Sequence, residues 1–286
     1  MGTRELPQRQ DTNHLENLRL MLNISIVLYH PDWEQEVLPL LDELLHVKCL
    51  RKLYLLDNSE ARELHPKMEI KHPKLRYMHM KANLGYGTAH NIALRESAYH
   101  QTDLHLVMNS DIRVQAKDID AMHDWMMANP QVGQLMPRVL YPDGAQQYLA
   151  KRLPTPLDVF GRRFLPSWLM ARRNRRYELR DLDLSRPINA PYLSGCFMLL
   201  RTKAAVEAGL FDERFFMYPE DIDLTRTIHR NWLTLYQPEW TIVHAHARVS
   251  YKNMHMLWIH VQNMCKYFNK WGWFFDSERS LFNSAL

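Results

Sequence analysis

The densest chemical signal in the chain is Tyr218-Pro219-Glu220-Asp221-Ile222-Asp223, three carboxylates within four residues. Favourable charge at a helix start explains one or two acids. Three of them, after Arg214 and the aromatic run Phe215-Phe216-Met217-Tyr218 and ahead of a helix with Arg226 and Arg230, suit a site where one carboxylate is a general base. A second signal is a set of polar clusters closing apolar runs: His30-Pro31-Asp32, Asp57-Asn58-Ser59 and Asn109-Ser110-Asp111. Each alone is an ordinary turn, but together at successive strand ends they exceed what turns require. Asp111 then suits a hard divalent cation held among carboxylate, water and phosphate oxygens. His244-Ala245-His246 ends a later strand and offers either imidazole to that shell, although such a pair is as readily structural. Asn83-Leu84-Gly85-Tyr86-Gly87-Thr88-Ala89-His90-Asn91 precedes an apolar helical run. It reads equally as the turn that starts the helix or as an anion contact at its N-terminus, and it is neither a Walker loop nor a dinucleotide fingerprint.

Gathering these residues needs strands whose ends meet. Asn23–Tyr29 is a β-branched apolar run, Glu34–Leu50 carries leucines at helical spacing, and Leu50–Leu56 is a second strand. The pattern repeats with a strand over Leu75–Met80, a helix over Gly87–Tyr99 and a strand over Asp103–Met108. Alternation of this kind predicts an α/β fold with a mixed, mostly parallel sheet flanked by helices, its ligands outside the carboxyl ends of the strands. Further on come a helix over Asp118–Ala128, a strand over Val132–Leu140, a continuous run Tyr192–Arg201, short helices over Lys203–Ala208 and up to Arg230, and a strand over Thr234–His244. Residues 1–22 read as a flexible polar leader and 23–250 as one domain, with 141–191 an irregular basic insertion and 251–286 a helical, aromatic extension.

Composition narrows the class. With 46% hydrophobic and 24% charged residues, the 286-residue chain is globular rather than disordered. Cys49, Cys196 and Cys265 match no zinc or disulfide spacing, and there is neither a signal peptide nor a long apolar span. A reducing, cytoplasmic setting is expected. The net charge of +4 is concentrated between Phe160 and Arg180, where Arg162, Arg163, Arg172, Arg173, Arg175, Arg176 and Arg180 are interleaved with Phe164, Leu165, Trp168, Leu169 and Met170. With the aromatic tail Tyr267–Phe275, this stretch is either a solvated face over core packing or a contact with an anionic membrane surface on the cytoplasmic side of the inner membrane. No nucleic-acid partner is expected.

In order, these residues resemble the family-2 inverting glycosyltransferases with a GT-A fold, particularly the bacterial rhamnosyltransferase-like members that build surface polysaccharide such as O-antigen or capsule. The likeness runs from about Asn23 to Ser250 and rests on Val27-Leu28-Tyr29-His30, Asp57-Asn58-Ser59, the Asn83, Gly85, Ala89, Asn91 set, Ser194-Gly195-Cys196-Phe197 and Gly209-Leu210-Phe211-Asp212-Glu213. It implies a nucleotide-sugar donor, dTDP-rhamnose before galactofuranose or GlcNAc donors, contacted by Tyr29, His30, Asp57, Asn58, Asn83, Gly85, His90, Asn91, Asn109, Ser110 and Asp111. It also implies an acceptor side at Ser194, Gly195, Cys196 and Tyr218, receiving a saccharide or a polyprenyl-diphosphate-linked saccharide. Mg²⁺ or Mn²⁺ would sit on Asp111 and His244, and Asp221 would deprotonate the acceptor hydroxyl, with Glu220 orienting or replacing it. One departure stands out: the family's Asp-x-Asp is Asn109-Ser110-Asp111 here, with a single carboxylate left. Two other classes stay open: a nucleotide-sugar or glycan binder without turnover, and a metal hydrolase built on His244, His246 and Asp111.

Overall fold

A computed structural model describes residues 21–61, 72–162, 165–245 and 254–286. Most of the polar leader, Arg163, Phe164 and His246 lie outside the described residues. The apolar runs become strands β1 (Leu22–Leu28), β2 (Leu50–Asp57), β3 (Leu75–His79), β4 (Leu104–Met108), β5 (Ile112–Arg113) and β6 (Val132–Leu140), with helices α1 (Leu38–Leu45), α2 (Tyr86–Tyr99) and α3 (Ala116–Ala128) between them. Short β7 (Gln146–Gln147) and β8 (Ala150–Lys151) follow, then α4 (Ser167–Tyr177), β9 (Ile188–Asn189), β10 (Tyr192–Leu193), β11 (Phe197–Arg201), α5 (Thr202–Glu207), α6 (Glu220–His229) and β12 (Leu233–His244). The chain closes with α7 (Met254–Trp271) and α8 (Ser277–Ser284).

The main sheet runs β3-β2-β1-β4-β11-β6-β12-β5. Pairings β1–β2, β1–β4, β2–β3 and β6–β12 are parallel, while β11 is antiparallel to both β4 and β6. The fold is thus the mixed, mostly parallel α/β sheet expected. β1 is buried on both faces, with Leu22, Ile24, Ile26 and Leu28 in the main apolar cluster beside leucines of α1, β2 and β4. Register pairs Leu28 with Asp57 and Ile26 with Met108, which brings the polar clusters that follow these strands to one edge.

Four expectations are corrected. The run Glu34–Leu50 opens as a π-helical turn, Trp33–Val37, capped by Asp32 through its Oδ1 and the Gln35 N–H at 2.9 Å; only then does α1 begin. Residues 141–191 are less irregular than expected: α4 is a regular eleven-residue helix, hidden in the sequence because only Met170 and Tyr177 on it are buried. Tyr192–Arg201 is two strands split by Ser194-Gly195-Cys196, and that break proves central to the site. Finally, the C-terminal extension is built into the body. Arg226, buried on α6, reaches Asp276 at 2.6 and 2.7 Å and Glu278 at 2.7 Å and lies 4.0 Å from the Trp271 ring, so α6, α7 and α8 share one ionic and aromatic joint. Tyr267 and Phe268 are buried there as core.

Candidate active site

Two of the three polar clusters are tied directly to each other. Asn58 N–H donates to Leu28 O at 2.8 Å and His30 N–H to Ser59 Oγ at 2.9 Å, which binds the ends of β1 and β2. Asn58 Nδ2 reaches across to Gly85 O at 3.1 Å and to Asn83 Oδ1 at 3.4 Å, and Asn83 Oδ1 accepts from Gly85 N–H at 3.0 Å. Gly85 has φ +83°, and a Cβ there would collide with the Phe216 carbonyl, which accepts the Tyr86 N–H at 3.1 Å. Of the two readings of Asn83–Asn91, these contacts describe the turn that starts α2, tied at once to the Asn58 cluster and to the loop ahead of α6.

Several expected donor contacts have other work. His90 is buried, with Nδ1 2.7 Å from Ser25 Oγ, in a polar seam continued by His105 and Ser97. Burial holds both imidazoles neutral, His105 down to about 3. Asn91 clamps the loop after α5, donating to Phe211 O at 2.9 Å and Glu213 Oε1 at 3.0 Å and accepting from Phe211 N–H at 3.0 Å. Asp57 is 1% exposed, its oxygens accepting from Ser59 N–H at 2.9 Å and Tyr77 Oη at 2.5 Å. These three side chains share a role in the fold: short polar groups at strand and helix ends satisfy buried backbone and hydroxyl groups. Tyr29 and His30, by contrast, are exposed, and His30 pairs with Glu60 at 3.2 Å.

Asp111 faces His244 across a crevice, Oδ1 to Nε2 at 3.2 Å. Gln147 orients the ring, its Oε1 3.0 Å from His244 Nδ1 while its Nε2 donates to His244 O at 2.8 Å. Burial works against the imidazolium, yet hydrogen bonding to Asp111 and Cys196 outweighs it and lifts the His244 pKa to about 10. A residue the sequence did not suggest lies beside them: Glu36, on the π-helical turn, accepts from Ser110 Oγ at 3.3 Å and lines the same cleft, and burial together with the Asp111 charge raises its pKa. No group of three or more His, Cys, Asp or Glu at metal-binding spacing occurs among the described residues. A carboxylate and an imidazole whose far nitrogen is already fixed still form the partial shell that a divalent cation completes with phosphate oxygens and water.

The acidic cluster divides into three roles. Asp221, 8% exposed, takes Gly195 N–H on Oδ2 and Ile222 N–H on Oδ1, both at 2.7 Å. Burial raises its pKa, the two N–H groups and the Lys151 charge pull it back, and it settles at about 6. Glu220 is also buried, and desolvation plus the Asp221 charge push its pKa up. Asp223 is tied to Lys270 Nζ at 2.8 Å and Trp271 Nε1 at 2.7 Å, which makes it a docking point for α7. Tyr86 stands between the two halves: its hydroxyl donates to Gly195 O at 2.7 Å, and the carboxylates of Glu220, Asp221 and Asp111 together with burial push its pKa well up. Lys151 also escaped the sequence reading. It sits 5.3 Å from the Tyr192 ring and 5.7 Å from Tyr177, and burial lowers its pKa. Ser194 and Cys196 flank Gly195; Ser194 N–H donates to Leu149 O at 3.1 Å and Cys196 O accepts from Asn109 N–H at 3.0 Å. Tyr218, at φ +91°, leans on His260 of α7 with ring centroids 4.7 Å apart.

No family model matches the chain. It is 33% identical over 193 residues to the N-acetylglucosaminyl-diphospho-decaprenol L-rhamnosyltransferase of Mycobacterium tuberculosis, over 62% of this chain and 61% of that protein. It is 22% identical over 216 residues to the low-salt glycan biosynthesis hexosyltransferase Agl10 of Haloferax volcanii, over 75% of this chain and 64% of that protein. The chain thus spans less than two thirds of the length of these curated relatives. Among solved structures it is similar to Staphylococcus aureus TarS, with a TM-score of 0.53 at 14% identity over 78% of this chain and 60% of that one. It is also similar to the mannosyltransferase PcManGT of Pyrobaculum calidifontis in complex with GDP-Man and Mn²⁺, with a TM-score of 0.52 at 16% identity over 87% and 63%. The fold is that of the GT-A glycosyltransferases, and of the two curated relatives the mycobacterial one is named a rhamnosyltransferase.

Proposed function

We propose that this chain is an inverting glycosyltransferase that moves L-rhamnose from dTDP-rhamnose to a hydroxyl of a lipid-linked saccharide in bacterial surface polysaccharide synthesis. The observation that carries the reading is one arrangement: a base-competent Asp221 held on the Gly195 N–H, across Tyr86 from the Asp111–His244 pair. The donor diphosphate belongs at that pair. Asp111 and His244 would hold Mg²⁺ or Mn²⁺, which would supply positive charge against the departing diphosphate. Asp221, ionised above about pH 6, takes the proton of the acceptor hydroxyl. The hydroxyl oxygen then bonds to the anomeric carbon on the face opposite the diphosphate, the carbon–oxygen bond to the diphosphate breaks, and the configuration inverts. Asp221 is our choice of base because two backbone N–H groups fix its carboxylate, with Glu220 beside it as the alternative. Tyr29, His30, Asn58, Asn83, Asn109 and Ser110 border the donor crevice; Gly195, Cys196, Tyr218 and Lys151 border the acceptor side.

The name of the mycobacterial relative supports both the sugar and the lipid-linked acceptor. No helix among the described residues is long and apolar enough to cross a membrane. We assign the work to the cytoplasmic face of the inner membrane because the mycobacterial relative is named for a lipid-linked substrate. The test is release of nucleotide diphosphate from a panel of nucleotide-sugars, with and without saccharide acceptors. Sugar-specific, acceptor-stimulated release is expected with dTDP-rhamnose. Release by water alone overturns the reading in favour of hydrolysis, and donor binding without release in favour of a binding protein.

A further inference from the structure

Six large apolar side chains stand in water along one border of the molecule. On and beside α4 these are Leu157, Leu165, Trp168 (75% exposed) and Leu169; on the loop between α7 and α8 they are Phe274 and Phe275 (80% and 96% exposed). The two groups adjoin. Phe160 stacks on Trp273 with centroids 6.3 Å apart and planes 13° from parallel, and Gly161, next to it, packs against Met170 of α4. Arginines stand among them: Arg172, Arg175 and Arg176 are exposed on α4, whereas Arg162 and Arg173 are paired with Glu178 and Asp158.

The loop that carries the two phenylalanines is built, not slack. Buried Arg279 donates to the carbonyls of Trp273 at 3.2 Å, Phe274 at 3.3 Å and Gly272 at 3.4 Å. Gly272 takes φ +103°, where any Cβ would strike the Phe275 carbonyl, and Asp276 caps α8 from the Arg279 N–H at 2.9 Å. A buried arginine and a left-handed glycine therefore fix two phenylalanines in full exposure. Four of the six side chains stand along α4 and its approach, and exposed arginines lie among them. They match an interface where aromatic rings enter the acyl boundary and guanidinium groups meet phosphates.

We propose that α4 and the Gly272–Phe275 loop form a docking face for an anionic lipid bilayer. This deepens the lipid-linked acceptor reading, but its physical grounds stand apart from it, so the two can fail separately. The experiment is co-sedimentation of the full chain with vesicles of phosphatidylcholine alone or mixed with phosphatidylglycerol, across a salt series. Wild-type protein is expected on the anionic vesicles and to leave them as salt rises from about 0.05 to about 0.5 M. Phe274→Ser with Phe275→Ser is expected to weaken partitioning by about tenfold or more, and Arg172→Gln with Arg175→Gln to abolish the preference for anionic lipid. Both variants are expected to keep wild-type nucleotide diphosphate binding and release towards a water-soluble acceptor. Equal binding to both lipids, binding to neither, or variants that partition like the wild type overturn the proposal. Self-association of the wild type that the phenylalanine variant abolishes, with vesicles left unbound, assigns the face to a second copy of the chain and overturns it as well.

Discussion

Asp221→Asn separates chemistry from binding and from folding in one substitution. Asparagine keeps the shape and removes the proton acceptor, so turnover is expected to fall by about 10²–10⁴-fold, the usual contribution of a positioned base. Donor affinity, set at the Asp111–His244 crevice, is expected to stay within about twofold. Stability carries a second, opposed signal. The Asp221 pKa lies at about 6, above its ordinary 3.8, so between those values the folded chain holds a proton that the unfolded chain has lost. Stability therefore falls as pH rises through that window, by about 3 kcal/mol at ~1.4 kcal/mol per pH unit. Asparagine escapes that cost. It also turns one amide N–H₂ towards a backbone N–H, because Gly195 and Ile222 each donate to a different oxygen, a mismatch of about 1–3 kcal/mol. The variant is thus expected to melt at or slightly above the wild type at pH 8 and to lose about 1.4 kcal/mol relative to it on going to pH 5. Wild-type kcat/KM is expected to rise with pH through about 6. Single-turnover diphosphate release, calorimetric donor binding and melts at the two pH values provide the measurements. Near-normal turnover, or a wild-type rate flat between pH 5 and 8, refutes Asp221 as the base and passes the role to Glu220.

At the other half of the site, Asp111→Ala is expected to raise the Mn²⁺ concentration needed for donor binding by about 10–100-fold and Glu36→Gln by a few-fold, read by calorimetry with donor and metal; an unchanged Asp111→Ala titration removes the cation assignment. Gly85→Ala forces a side chain into a left-handed backbone against the Phe216 carbonyl, and thermal melts are expected to show a loss of about 2–4 kcal/mol. Arg226→Ala strips the partner from buried Asp276, at an expected cost of about 3–5 kcal/mol, and because Asp223 and Lys270 share the same joint, limited proteolysis is expected to cut within α7 and α8.

The parts of the molecule that were legible are those where local pattern and tertiary role coincide. β6 has the bounds that its apolar run suggests, and Asp111 and His244 lie where the apolar strands β4 and β12 stop. What stayed hidden had no local signature. α4 is mostly exposed, so its arginines erase the apolar stripe on which a helix reading depends. Glu36 and Lys151 belong to the site only because a π-helical turn and a two-residue strand carry them there, and neither feature has a period. His90 and Asn91 shared a motif with Gly85, yet α2 turns them inward to Ser25 and Phe211. Spacing identified the segment without identifying which of its faces meets the ligand.

The split between β10 and β11 explains how two half-sites keep one geometry. Ser194-Gly195-Cys196 interrupts an otherwise continuous apolar run, and its backbone serves both sides: the Gly195 N–H holds Asp221, the Gly195 carbonyl accepts Tyr86 Oη, and the Cys196 carbonyl holds Asn109 N–H. Cys196 also contributes to the high pKa of His244. A shift in this tripeptide would therefore move the base and the cation crevice together. Where Asn109 carries no charge, a second carboxylate reaches the cleft from Glu36, hydrogen-bonded to Ser110. The acidic character of the crevice is thus distributed over two elements.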